Sequence, residues 1–68
     1  MQRIKRARLQ AGLSQHDLAV ACGTTSMTIS RLERGVHSDI GGSLLMAIAD
    51  ATGARLDWIA TGKGGMER

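Results

Sequence analysis

Apolar positions along this chain fall into five short runs at helical spacing, and each run is followed by a glycine. At the start, Ile4, Arg8 and Ala11 share one side of a helix predicted over 2–11, with Gly12 as its stop and Leu13 plugging the corner after it. Leu18, Ala19 and Cys22 share a face of a second helix over 15–22. Ser14 is placed to cap that helix, Asp17 to reach back as a short capping-box acid, and Gly23 to close it in a left-handed conformation. Ile29 and Leu32 define a third helix over 26–34, capped by Thr25 and stopped by Gly35. Leu45, Ile48, Ala49 and Thr52 define a fourth over 44–52, with Ser43 as its cap and Gly53 as its stop. A last helix over 56–61 carries Trp58 and Ile59 and ends at Gly62. The pattern predicts an all-α fold, a compact bundle of five short helices. Residues 36–42 form a polar loop, and 63–68 a flexible C-terminal tail after a single 1–62 domain.

The third helix is unusual on its outer side. Ser26, Met27, Ser30 and Arg31 point away from Ile29 and Leu32, with Arg34 one turn on. An ordinary solvated face carries Glu/Lys pairs four residues apart, and this one does not. It carries what base edges accept: Arg for guanine, hydroxyls for several acceptors, an apolar group for the thymine methyl. Two short helices joined at a glycine, the second with such a face, are the sequence form of a helix-turn-helix. That motif lays its second helix in the major groove of double-stranded DNA.

Composition narrows the picture further. At 68 residues the chain is one small domain, and without Phe, Tyr or Pro its core must come from Leu, Ile, Ala, Met and one Trp. The net charge of +3 fits a polyanionic partner without requiring one. Distribution says more, because Arg3, Lys5, Arg6 and Arg8 crowd the first eight residues. Arg3 is assigned with Arg34 to phosphate contact, while Arg3, Lys5 and Arg6 would serve equally well simply to solvate the first helix. One cysteine rules out an internal disulfide and points to a reducing compartment. With no apolar run of membrane-spanning length and no signal-peptide core, the chain reads as soluble and cytoplasmic.

Catalytic and metal readings find little support. Cys22 sits on an apolar face, as a buried and inert thiol would. His16 and His37 have no second ligand at metal-like spacing. Ser14, His16 and Asp17 share one helical turn and cannot build a triad. Gly62-Lys63-Gly64-Gly65 lacks the Ser or Thr and the strand of a phosphate loop. No enzyme activity, cofactor, metal or small-molecule substrate is expected.

GLSQHDLAVACGTTSMTISRLERG together with IADATGARLDWIATG resembles the DNA-binding domains of the lambdoid phage repressor and Cro family, over roughly residues 3–62. The resemblance implies a lambda-repressor-like fold and a sequence-specific transcriptional regulator acting in a bacterial or phage-infected cell. It implies that Gln15 and Thr25 hold DNA phosphates, that Ser26, Met27, Ser30 and Arg31 face base edges, and that Arg8 pairs with Glu33. The pairing agrees with the residues themselves, since a charge on an otherwise apolar face needs a partner. It also implies a homodimer, at least on operator DNA, reading half-sites about 34 Å apart. The dimer contact is placed at Arg55, Leu56, Trp58 and Ile59. Two departures stand out: the loop VHSDIGG has no Lys or Arg where related repressors carry several, and Met27 replaces a residue able to make paired hydrogen bonds. They favour the alternative reading, a protein-interaction module such as an antitoxin or assembly factor on the same bundle.

Overall fold

The computed structural model describes residues 2–35 and 40–67. Within them the chain forms α1 (Gln2–Gln10), α2 (Gln15–Cys22), α3 (Ser26–Glu33), α4 (Gly42–Thr52) and α5 (Leu56–Thr61). The predicted five-helix bundle is present, with four of the five helices within one residue of expectation at both ends. Residues 36–39, which include His37 and most of the unbasic loop, lie outside the described residues.

Each helix contributes one large, fully buried aliphatic side chain: Ile4, Leu18, Ile29, Ile48 and Ile59. They meet at one centre, joined by Ala7, Ala19, Leu32, Ala49, Ala54 and Trp58. Leu13, Cys22, Leu44 and Leu45 pack around its rim. Alanines lining this small core let the helix axes approach closely, so short helices close around five large side chains.

Local chemistry sets the elements. Ser14 and Asp17 form a reciprocal capping box: the Asp17 amide donates to Ser14 Oγ at 2.9 Å and the Ser14 amide to Asp17 Oδ2 at 3.1 Å. Gly23 closes α2 at φ 68°, and its amide and that of Thr24 bond back to the last turn. That left-handed residue reverses the chain between α2 and α3 and so sets the pose of α3.

Three expectations need correction. Ala11 is exposed, because α1 ends at Gln10, and Ala7 instead takes the inward position beside Ile4. Ser43 does not cap α4: the helix begins two residues earlier, at Gly42, with Gly41 as N-cap and no side-chain cap bond, which leaves Ser43 exposed in the first turn. Residues 63–67 are not without an anchor. The Arg55 amide donates to the Met66 carbonyl at 2.8 Å, Ala54 and Glu67 form an isolated antiparallel bridge, and Met66 packs against the core. A lone methionine after two glycines has no period to read.

Candidate nucleic-acid interface

The inner side of α3 is fixed by Ile29, Leu32 and Glu33, all buried. Opposite them, Met27 is 60% exposed, Arg31 and Arg34 are exposed, and Ser26 and Ser30 are half-buried. The structure thus brings the four expected base-reading side chains onto one solvent-facing side of one helix. An apolar side chain as large as Met27, left bare in the middle of a polar face, gains nothing for folding.

Thr25 stands at the N-terminus of α3. Its hydroxyl accepts from the Thr28 amide at 3.1 Å and shares a hydrogen bond of 3.0 Å with the Thr28 hydroxyl. The first-turn amides and the positive end of the helix dipole therefore open at this point, where an anion is favoured. Arg34, the residue after the last turn, sends its Nε to the Ser30 carbonyl at 3.4 Å and stays exposed.

Behind this face lies a charged network in the interior. Arg8 donates from Nε to Glu33 Oε2 at 2.6 Å and from its NH2 group to Glu33 Oε1 at 3.1 Å, and both side chains are under one-tenth exposed. The third guanidinium nitrogen donates to the Leu13 carbonyl at 2.9 Å. Gln15, first in α2, donates from Nε2 to Glu33 Oε1 at 3.2 Å. The network ties α1, the corner before α2, α2 and the end of α3 into one unit, which holds α3 at a set angle. Two-point pairing of guanidinium and carboxylate offsets the desolvation that a single contact would not.

Arg3 is placed differently from its expected role. Its Nε donates to the Ile59 carbonyl at 2.9 Å and its guanidinium to the Ala60 carbonyl at 3.3 Å. These are carbonyls of the last turn of α5, and a cation there also meets the negative end of the helix dipole. Gly62 makes room for it, since a Cβ there would meet the guanidinium at 3.2 Å. Arg3 is a tie between α1 and α5 and not a side chain held out toward phosphate. A basic residue near the start of a helix reads the same in sequence whether it meets solvent, phosphate or a carbonyl of a distant helix.

The expected dimer contact also divides. Ile59 is fully buried and Trp58 is 6% exposed, so both close the core of a single chain and have little or no surface to offer a partner. Arg6 stacks over the Trp58 ring at 5.6 Å, an interaction that sequence reasoning missed because the two residues lie at opposite ends of the chain. Leu56 and Arg55 are exposed, and Arg55 pairs with Asp57 at 3.0 Å.

The Asp17 carboxyl is held below its ordinary value by the Ser14 amide and then by the Ser14 hydroxyl, which bond its charged form. Asp57 is lowered by its hydrogen bond from Arg55. Burial pushes the Cys22 thiol up, away from the reactive thiolate.

Comparison with known proteins agrees with this geometry. The model of the helix-turn-helix family matches residues 4–59, most of the chain. Among solved structures, the P22 c2 repressor protein in complex with a synthetic operator is similar over 91% of this chain and 92% of that one, at 26% identity and a TM-score of 0.82. The N-terminal DNA-binding domain of SinR from Bacillus subtilis matches over 94% and 93%, at 23% identity and a TM-score of 0.83, a likeness of fold. A chain of the SinR protein/SinI protein complex matches over 91% of this chain and 60% of that chain, at 24% identity and a TM-score of 0.83, again a likeness of fold. From the family match over residues 4–59, the chain belongs to the helix-turn-helix family, and its five-helix fold is that of the P22 c2 repressor protein.

Proposed function

We infer that the chain is a sequence-specific, double-stranded DNA-binding transcriptional regulator. The observation that carries this reading is the bare outer side of α3, with Met27, Arg31 and Arg34 exposed on a helix whose other side is locked to the core and to Arg8. An eight-residue helix is about 12 Å long and fits the width of the major groove. In our reading Ser26, Met27, Ser30 and Arg31 address base edges. Thr25 and Gln15 hold phosphates at the two helix starts, and Arg34 meets the backbone at the far end of α3. Met27 would read thymine methyls through apolar contact, a looser discrimination than paired hydrogen bonds give.

The interaction-module alternative is not favoured, since the family match and the repressor likeness both point to a DNA-binding domain. No helix among the described residues is long and apolar enough to cross a membrane, and we place the protein in the cytoplasm. A homodimer on DNA is part of the proposal, with Leu56 and Arg55 as the exposed part of its contact.

The test is a titration of bulk and operator-like duplex across a range of salt. Log affinity is expected to fall linearly with log salt, with a slope of about −0.9 for each phosphate neutralised. Saturation is expected at two chains per site of about twenty base pairs. Salt-independent binding, or none at low salt, would remove DNA as the partner; one chain per site would remove the dimer.

A further inference from the structure

We infer that Glu33, buried and facing away from solvent, is a positioning residue for DNA-backbone binding: it fixes which edge of the Gln15 amide is presented. The inference rests on the DNA-binding reading and deepens it.

An amide side chain has a donor edge and an acceptor edge of nearly the same shape. A phosphate oxygen only accepts, so Gln15 can bind one only through a hydrogen of its amide nitrogen. A glutamine at a free helix start has no reason to choose. Here the choice is imposed. Glu33 is held from the core side by two donors of Arg8, and Arg8 is itself held by the Leu13 carbonyl. Glu33 Oε1 then takes a further donor, Gln15 Nε2, at 3.2 Å. The opposite orientation would set the amide oxygen against a carboxylate oxygen, two acceptors in contact.

The nitrogen of a planar amide carries two hydrogens about 120° apart. With one directed at Glu33, the other points away from the network, from a residue that is half exposed at the first position of α2. A donor pre-set in this way loses little rotational freedom when a phosphate arrives. The charge arithmetic also allows it. The Arg8 guanidinium cancels the carboxylate it is bonded to, so Glu33 can orient an amide near the DNA backbone without repelling it. Arg8, Glu33 and Gln15 thus form a relay from the core of the fold to one phosphate.

Substitution and spectroscopy test this separately. In Glu33→Gln, both Arg8 donors claim the new amide's oxygen and its nitrogen turns toward Gln15, so the Gln15 amide rotates to accept with its oxygen and its nitrogen leaves the place from which the second hydrogen pointed outward. DNA affinity should fall by roughly five- to tenfold, the effect of losing one charge-assisted hydrogen bond. In a Gln15→Met background the same Glu33→Gln change should alter affinity by less than about twofold, since the group it acts through is gone. An equal loss in both backgrounds would mean that Glu33 acts only by holding α3, and the relay would be overturned. Melting curves of each variant report whether it folds. If Glu33→Gln does not, the side-chain amide resonances of Gln15 in the unaltered protein decide. Expected are two well-separated hydrogens, one protected from exchange before any ligand is added, the other shifting when a short duplex is titrated in. Two freely exchanging hydrogens that do not move on saturation with bound duplex would overturn the proposal. Absence of duplex binding by the unaltered protein is a different outcome, because it removes the DNA reading on which the relay depends.

Discussion

Arg8 lies on the inner side of α1, where a guanidinium out of water needs a fixed counter-charge. Replacing it with Met keeps much of the volume but strands Glu33 without its cation. Arg8→Met is expected to destabilise the chain by about 3–5 kcal/mol, read from urea denaturation. That is comparable with the whole stability of a domain this small. A loss below about 1 kcal/mol would show that water reaches Glu33. Asp17 gives a milder, pH-dependent prediction. Its folded value is lowered by the Ser14 amide and hydroxyl, so the capping box contributes at neutral pH and is lost as pH falls through that lowered value. The difference in melting temperature between the native protein and Asp17→Asn should therefore shrink as pH drops below the usual carboxylate range. A difference independent of pH would mean that the cap does not depend on the charge. At this scale the sequence was partly legible. The Arg8 and Glu33 positions could be read because charges on apolar helix faces call for each other, whereas Arg3 could not be, because its partners are backbone carbonyls of α5 that any sequence supplies.

Helices α2 and α3 illustrate how punctuation in the chain becomes geometry. The Ser14–Asp17 box, Gly23 and the Thr25 cap carry local signals, and the structure places all of them within one residue of where periodicity sets them. Element ends were legible wherever a side chain or a left-handed glycine makes the cap. They were not at α4, where Gly41 caps through backbone shape alone and the nearby Ser43 offered a false signal. Because Gly41 leaves the first-turn amides without a side-chain acceptor, Gly41→Ser should raise stability by a few tenths of a kcal/mol. A Cβ at Gly41 meets no atom within 4 Å and the backbone is in an ordinary extended conformation, so no strain opposes the change. A measured loss in denaturant midpoint would show that α4 begins elsewhere in solution.

The whole molecule is a frame for one exposed helix face. Five aliphatic side chains, one from each helix, close the core, while the Arg8 network sets the angle of α3 and the Arg3 tie joins the two ends of the chain. Met66 and the bridge from Ala54 to Glu67 return the C-terminal segment to the same side of the bundle as α5. This long-range closure was the least legible part of the sequence, since it is made of backbone bonds and single side chains without a period. The exposed outer side of α3, by contrast, could be read from periodicity alone, because Met27 and Arg31 lie off the stripe that Ile29 and Leu32 turn into the core. The account's central claim is that this face reads bases. The most direct test selects duplexes bound by the protein from a random pool, then compares affinity for the selected and for random sequence in the native chain and in a Met27→Ala, Arg31→Ala variant at one salt concentration. Both side chains are exposed, so the variant should keep its melting temperature within a few degrees. The account predicts that the ratio of selected to random affinity falls toward one while random-sequence binding weakens only by the phosphate share of Arg31; an unchanged ratio in a folded variant would contradict it.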